Sequence, residues 1–353
     1  MNSRLARIPF GPCGGLALTV AASALLLTLA TGAENAPTGT MKAVRLHSYG
    51  GADVLQHEDA PRPEPNEDEI LVRVIAAGVN PVDAKVRQGH FPQPGAKMPM
   101  IVGYDISGVV EKTGAKATKF KPGDAVYAYL SLTRGGAYAE YAIAKESEAT
   151  LKPTSLTHEQ AAAVPLAALT AWQALIETAK LEAGQTVLIH GGSGGVGSFA
   201  IQIAKARGAK VIATASTANQ ELLKERGADQ AIDYKTTKFE EVVQDVDVVL
   251  DLVAGDTLAR SYGVVKKGGI IVSVLDNPAP AELKKHGIRG TAILVRPEAS
   301  MLAELTKLID EKKITPLVSQ VFPLAETAKA HAAIETGHTR GKIVLRVADE
   351  AKR

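Results

Sequence analysis

Glycines at four of six consecutive positions suggest where this chain does chemistry. They follow an apolar stretch at 186–190 and precede a helix predicted over 198–207 and closed by Gly208. In that context glycines let the backbone turn tightly and approach a pyrophosphate, while the helix N-terminus offers free N–H groups. The run predicts a dinucleotide-binding loop; an ordinary glycine-rich strand–helix turn is the alternative. Its residues are Gly192, Ser193, Gly194, Gly195, Val196 and Gly197.

The end of the next predicted strand, 210–215, indicates which dinucleotide is bound. An Asp or Glu there would bind the ribose 2′-hydroxyl of NAD. This chain has Ser216, Thr217 and Asn219 instead, which can donate hydrogen bonds to a 2′-phosphate. The segment therefore favours NADPH over NADH. Thr217 with Gln220 also reads as a capping box for a helix over 218–226, and the two roles are compatible.

Two kinds of pattern must position these residues. Before residue 158 the chain is strand-like and rich in turns, with no helical period, which predicts a β-rich domain. After residue 181 short apolar strands alternate with helices, which predicts a parallel sheet with helical crossovers, followed by a helix over 298–312. The predicted strands are 70–76, 101–102, 106–111, 125–129, 186–190, 210–215, 231–233, 246–252, 269–275 and 341–347, the last returning to the first domain.

Composition sets broad limits on the function. A length of 353 residues suggests about two domains, and 46% hydrophobic residues exclude a disordered chain. A single cysteine excludes a disulfide framework and a Cys-rich zinc site. Lys and Arg total 40 against 38 Asp and Glu, so the charge gives no reason to expect nucleic acid.

The first 33 residues differ from the rest. Arg4 and Arg7 precede an uncharged apolar run, 16–30, and small residues follow it. This order predicts a secretory signal peptide over 1–33, and the run is too short for a stable membrane span. Export to the periplasm or outside is therefore expected, and removal of the peptide would also remove the sole cysteine. The alternative is translation from Met41, which gives a cytoplasmic protein.

Eight phrases distributed over residues 41–347 together resemble the medium-chain dehydrogenase/reductase superfamily. Within it the chain is similar to the zinc-free quinone oxidoreductase (zeta-crystallin-like) branch, and nearest to NADPH-dependent enone and alkenal reductases. The resemblance implies an α/β fold in which a GroES-like β-rich catalytic domain, 41–160, precedes a Rossmann doubly wound parallel sheet, 161–295. Residues 296–349 then return to the catalytic domain. The phrases are 77–89, 102–110, 121–127, 136–141, 169–172, 192–197, 227–234 and 337–342.

The resemblance also bears on metal. Zinc enzymes of the superfamily carry Cys where this chain has Asn80, and His-Glu where it has Tyr104 and Asp105. No metal site is therefore expected. The implied reaction is metal-free hydride transfer from NADPH to an α,β-unsaturated carbonyl or a quinone. A non-catalytic NADPH-binding protein of the same fold is the alternative.

Three residues are the catalytic candidates, one of them, Lys85, at a position where related quinone oxidoreductases often carry Tyr. Asn80 matches a position beside the nicotinamide. Lys85 would stabilise or protonate an enolate, and Tyr104 would donate to a carbonyl. A solvated loop lysine and a packed core aromatic are the respective alternatives. Asp83 and Asp105 are read as structural.

Other positions are matched to the cofactor. Val253 and Leu275 end strands beside the nicotinamide, and the segment around Lys342 lies at the cleft edge unless it is only a turn. A homodimer through a strand edge is also expected. The eight histidines, among them His57, His158 and His286, are interpreted as surface or loop residues. The cofactor contacts implied by the resemblance are Asn80, Thr170, Tyr234, Val253, Leu275 and Lys342.

Overall fold

The computed structural model describes residues 39–91, 95 and 97–349; the predicted signal peptide lies outside them. Sixteen strands are present in this part of the chain. They are β1 (Thr40–Leu46), β2 (Leu55–Pro61), β3 (Glu69–Val79), β4 (Met100–Ile101), β5 (Asp105–Thr113), β6 (Ala125–Tyr129), β7 (Tyr141–Lys145), β8 (Ala149–Leu151), β9 (Thr186–Ile189), β10 (Lys210–Ala215), β11 (Gln230–Asp233), β12 (Val246–Asp251), β13 (Val265–Ser273), β14 (Arg289–Ala292), β15 (Val318–Pro323) and β16 (Lys342–Arg346).

Ten α-helices connect these strands within the described ranges. A π-helical segment, Gln173–Thr178, extends the third of them. The helices are α1 (Pro81–Arg87), α2 (His158–Ala162), α3 (Pro165–Trp172), α4 (Gly195–Ala206), α5 (Gln220–Glu225), α6 (Phe239–Val242), α7 (Gly255–Ser261), α8 (Pro280–His286), α9 (Ala299–Asp310) and α10 (Thr327–Glu335).

The half of the molecule that contains the glycine loop is a six-stranded parallel sheet in the order β11-β10-β9-β12-β13-β14. The order reverses beside β9, the strand that leads into the glycine loop. In open sheets of this kind a ligand binds at the carboxyl ends of the strands at that reversal. The parallel sheet predicted from the alternating pattern is confirmed.

The β-rich half contains two sheets. One has the order β2-β1-β4, and the other β15-β16-β3-β5-β6-β8, with β7 also pairing with β3. Strand β3 carries most of this arrangement, because β5, β7 and β16 all pair with it antiparallel. Its last residues pair with the start of β16, Val79 opposite Ile343. This pairing brings residues 80 and 342 together.

A single apolar cluster joins the two halves. It runs from Val74 on β3 and Tyr104, just before β5, through Leu169 on α3 to Phe199 on α4 and Val187 on β9, all of them buried. Because close-packed interiors transmit displacement, this shared core fixes the glycine loop relative to the β-rich sheet.

Three expectations about elements were wrong. Helix α1 lies in the stretch that was predicted to contain no helix. It has only seven residues and begins at Pro81, so it is too short to show a helical hydrophobic period. Helix α4 begins at Gly195 rather than residue 198. The capping box at Thr217 does not form: residues 217–219 make a short 3-10 turn, and no side chain caps α5.

Candidate active site

The glycine loop joins β9 to α4. Gly194 is the N-cap, and the Ser198 N–H donates to its carbonyl at 2.9 Å. The first turn leaves backbone N–H groups without intrahelical partners, as any helix does. A Cβ on Gly197 would lie 2.3 Å from the Gly191 oxygen, so the close packing of helix on loop requires glycine at that position. The loop thus presents backbone donors and no side-chain charge.

The start of β16 packs against this loop. The Gly341 N–H donates to the Ser193 carbonyl at 2.9 Å, and Gly341 pairs with Gly194 in a parallel bridge. The stem of Lys342 also covers the loop, since its Cδ lies 2.8 Å from where a Cβ on Gly195 would be. The glycine loop and the β-rich sheet therefore meet at Lys342.

The Lys342 ammonium is buried and bonded to protein groups. It donates to the Val79 carbonyl at 3.0 Å and to the Asn80 Oδ1, and lies 3.6 Å from an Asp105 oxygen. Burial lowers the pKa of Lys342, and the charges of Asp105 and Asp83 oppose that shift. Lys342 was expected to bind cofactor; in this structure its donors face Val79, Asn80 and Asp105.

Asn80 lies at the centre of this network. It is the N-cap of α1, and its backbone N–H donates to Asp83 at 2.7 Å. Its Oδ1 accepts from Lys342, and its Nδ2 donates to Asp105 at 2.9 Å. An amide nitrogen has two N–H groups, and the second has no partner among the residues that the structure describes. The side chain is thus fixed in orientation with one donor to spare.

Asp105 is held by both halves of the molecule. Its second oxygen accepts from the Leu166 N–H at 2.8 Å, at the N-terminus of α3. Burial raises the pKa of Asp105, and the Lys342 charge and these hydrogen bonds lower it. A carboxylate at a helix N-terminus is favoured by the helix dipole. Asp105 therefore anchors both Asn80 and Lys342 to α3.

Asp83 is the second buried carboxyl of the site. Tyr138 donates its hydroxyl to Asp83 at the same oxygen that accepts from Asn80. Burial raises the pKa of Asp83 to about 7, although both hydrogen bonds lower it. Tyr104 is also buried, and burial with the nearby Asp83 charge raises its pKa. Its hydroxyl stays protonated at neutral pH.

Lys85, the remaining catalytic candidate, does not join this cluster. It lies on α1 with an exposed side chain, while Asp83 and Arg87 on the same helix are buried. No ion pair holds the Lys85 ammonium within the described ranges. The structure thus brings Asn80 and Tyr104 into one buried environment and leaves Lys85 on the surface of α1.

The segment after β10, where the 2′-phosphate contacts were predicted, shows why the capping box fails. The Asn219 side-chain nitrogen donates to the Ser216 hydroxyl at 3.1 Å. Thr217 hydrogen-bonds instead to Asp233, which lowers the pKa of that carboxyl. Tyr234 follows directly and is 54% exposed. Sequence reasoning missed Asp233, because this carboxylate comes from β11 rather than from the segment after β10.

The carboxyl ends of β12 and β13, where the nicotinamide contacts were predicted, are ordered by a buried carboxylate. Asp251 accepts from the Val253 and Ala254 N–H groups at 3.1 and 3.0 Å, and from the Ser273 hydroxyl at 2.9 Å. Val253 is 49% exposed, and Leu275, 48% exposed, follows β13. Sequence reasoning missed Asp251. Its position at the end of β12, on the carboxyl edge of the sheet, could have identified it as a site residue.

Thr170 is a buried residue of α3 whose side chain bonds to the backbone of the same helix. Its hydroxyl donates to the Leu166 carbonyl at 2.7 Å, and the residue is 4% exposed. A hydroxyl that bonds to the preceding turn of its own helix is a common local arrangement. The Thr170 hydroxyl donates within its own helix, and its contact with the cofactor stays a prediction.

The interpretation of the histidines as surface or loop residues was wrong for three of them. His158 pairs with the Ser107 hydroxyl at 2.8 Å, and His190 lies between Thr214 and Ser261. His331 on α10 is fully buried. Burial lowers the pKa of His158 and His190 to about 4, so both are neutral at physiological pH.

The described residues contain no group of three or more His, Cys, Asp or Glu side chains placed to hold a metal ion. Nor does any helix among them reach the length and apolar character that crossing a membrane requires. The position at which a zinc enzyme would have Cys and His ligands is here filled by Asn80 and Tyr104, with the Lys342 ammonium bonded to Asn80.

Comparison with known proteins agrees with this geometry. The family model "Alcohol dehydrogenase GroES-like domain" matches residues 66–154. The model "Zinc-binding dehydrogenase" matches residues 226–345. The structure of this chain also superimposes on the solved structure of the quinone oxidoreductase from Coxiella burnetii, with a TM-score of 0.83 and 37% identity over 88% of this chain and 100% of that one.

Two curated plant proteins are similar over most of their length. The chain is 39% identical to the chloroplastic NADPH-dependent alkenal/one oxidoreductase of Arabidopsis thaliana, over 86% of this chain and 79% of that protein. It is 36% identical to the 2-methylene-furan-3-one reductase of Solanum lycopersicum, over 94% and 85%. With Asn80, Tyr104 and Asp105 in place of zinc ligands, the chain belongs to the zinc-free quinone oxidoreductase branch of the medium-chain dehydrogenase/reductase superfamily.

Proposed function

We propose that this protein is an NADPH-dependent reductase of activated double bonds, acting on an enone, an alkenal or a quinone. The observation that carries the proposal is the fixed amide of Asn80, which has a second N–H without a partner among the described residues. Its Oδ1 accepts from Lys342, whose stem covers the glycine loop. NADPH, when bound, supplies the hydride. The names of the relatives support the same substrate classes.

The residues present fit this cofactor. Gly192 and Gly197 let the loop pack closely against neighbouring protein atoms, since a Cβ on either would lie less than 3 Å from another atom. The first turn of α4 offers backbone N–H groups for a diphosphate. The Tyr234 N–H donates to the Ala215 carbonyl at 3.2 Å, and Ser216, which accepts from Asn219, follows directly. A 2′-phosphate would be bound there. The half-exposed Val253 and Leu275 offer an apolar edge for the nicotinamide.

The remaining groups would act on the substrate. Reduction of an enone adds hydride at the β-carbon and leaves negative charge on the carbonyl oxygen, which a hydrogen-bond donor stabilises. Tyr104 and Asn80 are the neutral donors nearest the site, and Lys85 on the exposed face of α1 is proposed as a cation for the enolate. Water supplies the proton that finally reaches the α-carbon.

The first test follows NADPH oxidation by the purified chain, with NADH alongside, against a short enone, an alkenal and a benzoquinone. Saturable enone turnover with NADPH supports the double-bond reductase. Turnover of the quinone alone moves the assignment to quinone reduction. Tight NADPH binding without turnover of any of the three contradicts the proposed reaction and favours the non-catalytic binding protein.

A second test concerns Lys85. Lys85→Ala should lower kcat for the enone while Lys85→Arg retains most of it, because either cation can face an enolate. Lys284→Ala, which removes an exposed lysine from α8, is the matched control. Equal activities for Lys85→Ala and the control would show that Lys85 is a solvated surface lysine without a role in the reaction.

We propose further that residues 1–33 direct export. The support is the order of basic start, apolar run and small residues. Mass spectrometry of the native N-terminus tests it: a peptide that begins near Glu34 supports export, and one that begins at Met41 refutes it.

We propose the domain bounds predicted from the sequence, which are 41–160, 161–295 and 296–349.

We also propose a homodimer. The outer strand β14 leaves one edge of the parallel sheet unpaired within the described chain, and such an edge can pair with a second copy. Light scattering coupled to gel filtration gives the oligomeric state. A monomer at micromolar concentration would contradict the dimer.

A further inference from the structure

Helices α1 and α10 face each other through four polar residues that the proposed reaction does not use directly. Asp83 and Arg87 are one turn apart on α1, and His331 and Glu335 are one turn apart on α10. Arg87 is fully buried and pairs through one nitrogen with Glu335, which reaches the surface. We call these four residues the α1–α10 seam.

Five buried polar atoms of the seam have no hydrogen-bond partner among the protein atoms of the described residues. They are the Asp83 Oδ1, the Arg87 Nε and Nη1, and the His331 Nδ1 and Nε2. A buried polar group without a partner destabilises a fold, and a buried cation does so most. Native interiors rarely leave such a cluster bare.

The Tyr138 side chain contacts both Asp83 and His331. The Tyr138 ring meets the His331 ring edge-on with centroids 5.7 Å apart, and the Tyr138 hydroxyl bonds to Asp83. The Arg87 charge acts on His331, and together with burial it lowers the pKa of that imidazole to about 3. His331 is therefore neutral and needs one donor and one acceptor.

The required ligand must both donate and accept. Arg87 offers only donors, neutral His331 offers one donor and one acceptor, and the free oxygen of Asp83 accepts when ionised. An anion cannot donate to His331 and would face Asp83. A cation would face Arg87. Water satisfies all three, and buried waters commonly make about three hydrogen bonds to groups of this kind.

We propose that the α1–α10 seam encloses ordered water bonded to Asp83, Arg87 and His331, and that this hydrated seam positions Asn80. The mechanical link is Asp83, whose other oxygen holds the Asn80 backbone N–H at 2.7 Å. Arg87 and His331 are then positioning residues, because they touch neither cofactor nor substrate. The kinetic part of this inference rests on the proposed function; the hydration does not.

The first experiment is a high-resolution crystal structure of the full chain and of His331→Leu. We expect a water within hydrogen-bond distance of both His331 and Asp83 in the parent, and its loss or displacement in the variant. Direct contact between these side chains, or a dry seam in the parent, would overturn the inference. This readout is independent of any turnover.

The second experiment measures steady-state kinetics and NADPH affinity. His331→Leu should lower kcat roughly tenfold, as small misplacements of a reacting group do, while the Kd for NADPH stays unchanged. His331→Gln, which can bond to water, should recover most of kcat. His158→Leu, which removes a buried histidine bonded to Ser107, is the matched control and should keep kcat. Unchanged kcat in His331→Leu would refute the positioning role.

Discussion

The two parts of the site that meet at Gly195 and Lys342 are built in opposite ways. The glycine loop offers backbone N–H groups and depends on the absence of side chains, as the clash at Gly197 shows. The network of Asn80, Asp105 and Lys342 depends on buried side chains that bond to one another. The loop is therefore sensitive to added atoms, whereas the network is sensitive to lost partners.

Removal of a partner should have the largest effect. Lys342→Met leaves the Asp105 carboxylate and the Asn80 carbonyl buried without their cation, which costs about 3–5 kcal/mol of unfolding free energy. Urea denaturation measures it. The double variant Lys342→Met with Asp105→Asn should recover part of the loss, because no unpaired charge remains. If both variants lose equally, the charge pairing does not account for the cost.

Addition of an atom should break the loop next. Gly197→Ala places a Cβ 2.3 Å from the Gly191 oxygen, and we expect a loss of about 3 kcal/mol together with weaker NADPH binding. Gly194→Ala is the matched control, since its Cβ would meet that oxygen at an ordinary 3.5 Å. Thermal melts without cofactor separate the two variants. Similar melting temperatures would show that the loop relaxes around the methyl group.

The pH dependence of the unfolding free energy tests the buried side-chain network, through Asp83, which bonds to Asn80. Burial raises the pKa of Asp83 from 3.8 to about 7, so between these values the folded state holds a proton that the unfolded state has lost. Asp83 then lowers stability as pH rises, by about 1.4 kcal/mol per pH unit. Asp83→Asn should remove this slope between pH 4 and 7. An unchanged slope in denaturation across that range would assign it to other groups.

The smallest effect should appear at the adenosine end. Asp233 accepts from Thr217 and adds a negative charge near the proposed 2′-phosphate contacts. Asp233→Asn should strengthen NADPH binding about two- to fivefold, as expected for a screened surface charge. NADH is the internal control, because it lacks that phosphate. Equal gains for both cofactors would place Asp233 away from the 2′-phosphate.

Local features were predictable and distant ones were not. The glycine loop, the parallel strands and the family were identified because neighbouring residues carry them. The Asn80 network brings together residues 80, 105 and 342, which no local pattern connects. Helix α1 was missed because its seven residues depend on tertiary packing. The histidines were misread because burial of an imidazole depends on partners such as Ser107, which lies 51 positions away from His158.

The pairing of β3 with β16 also has a consequence for the order of assembly during translation. All six strands of the parallel sheet lie between residues 186 and 292, whereas Lys342, one of the three partners of Asn80, comes after them. At about 5–20 residues per second, a ribosome needs several seconds to add that last stretch. The nascent chain thus acquires its dinucleotide sheet first and the network around Asn80 last. Long-range contacts of this kind form late because loop closure disfavours them.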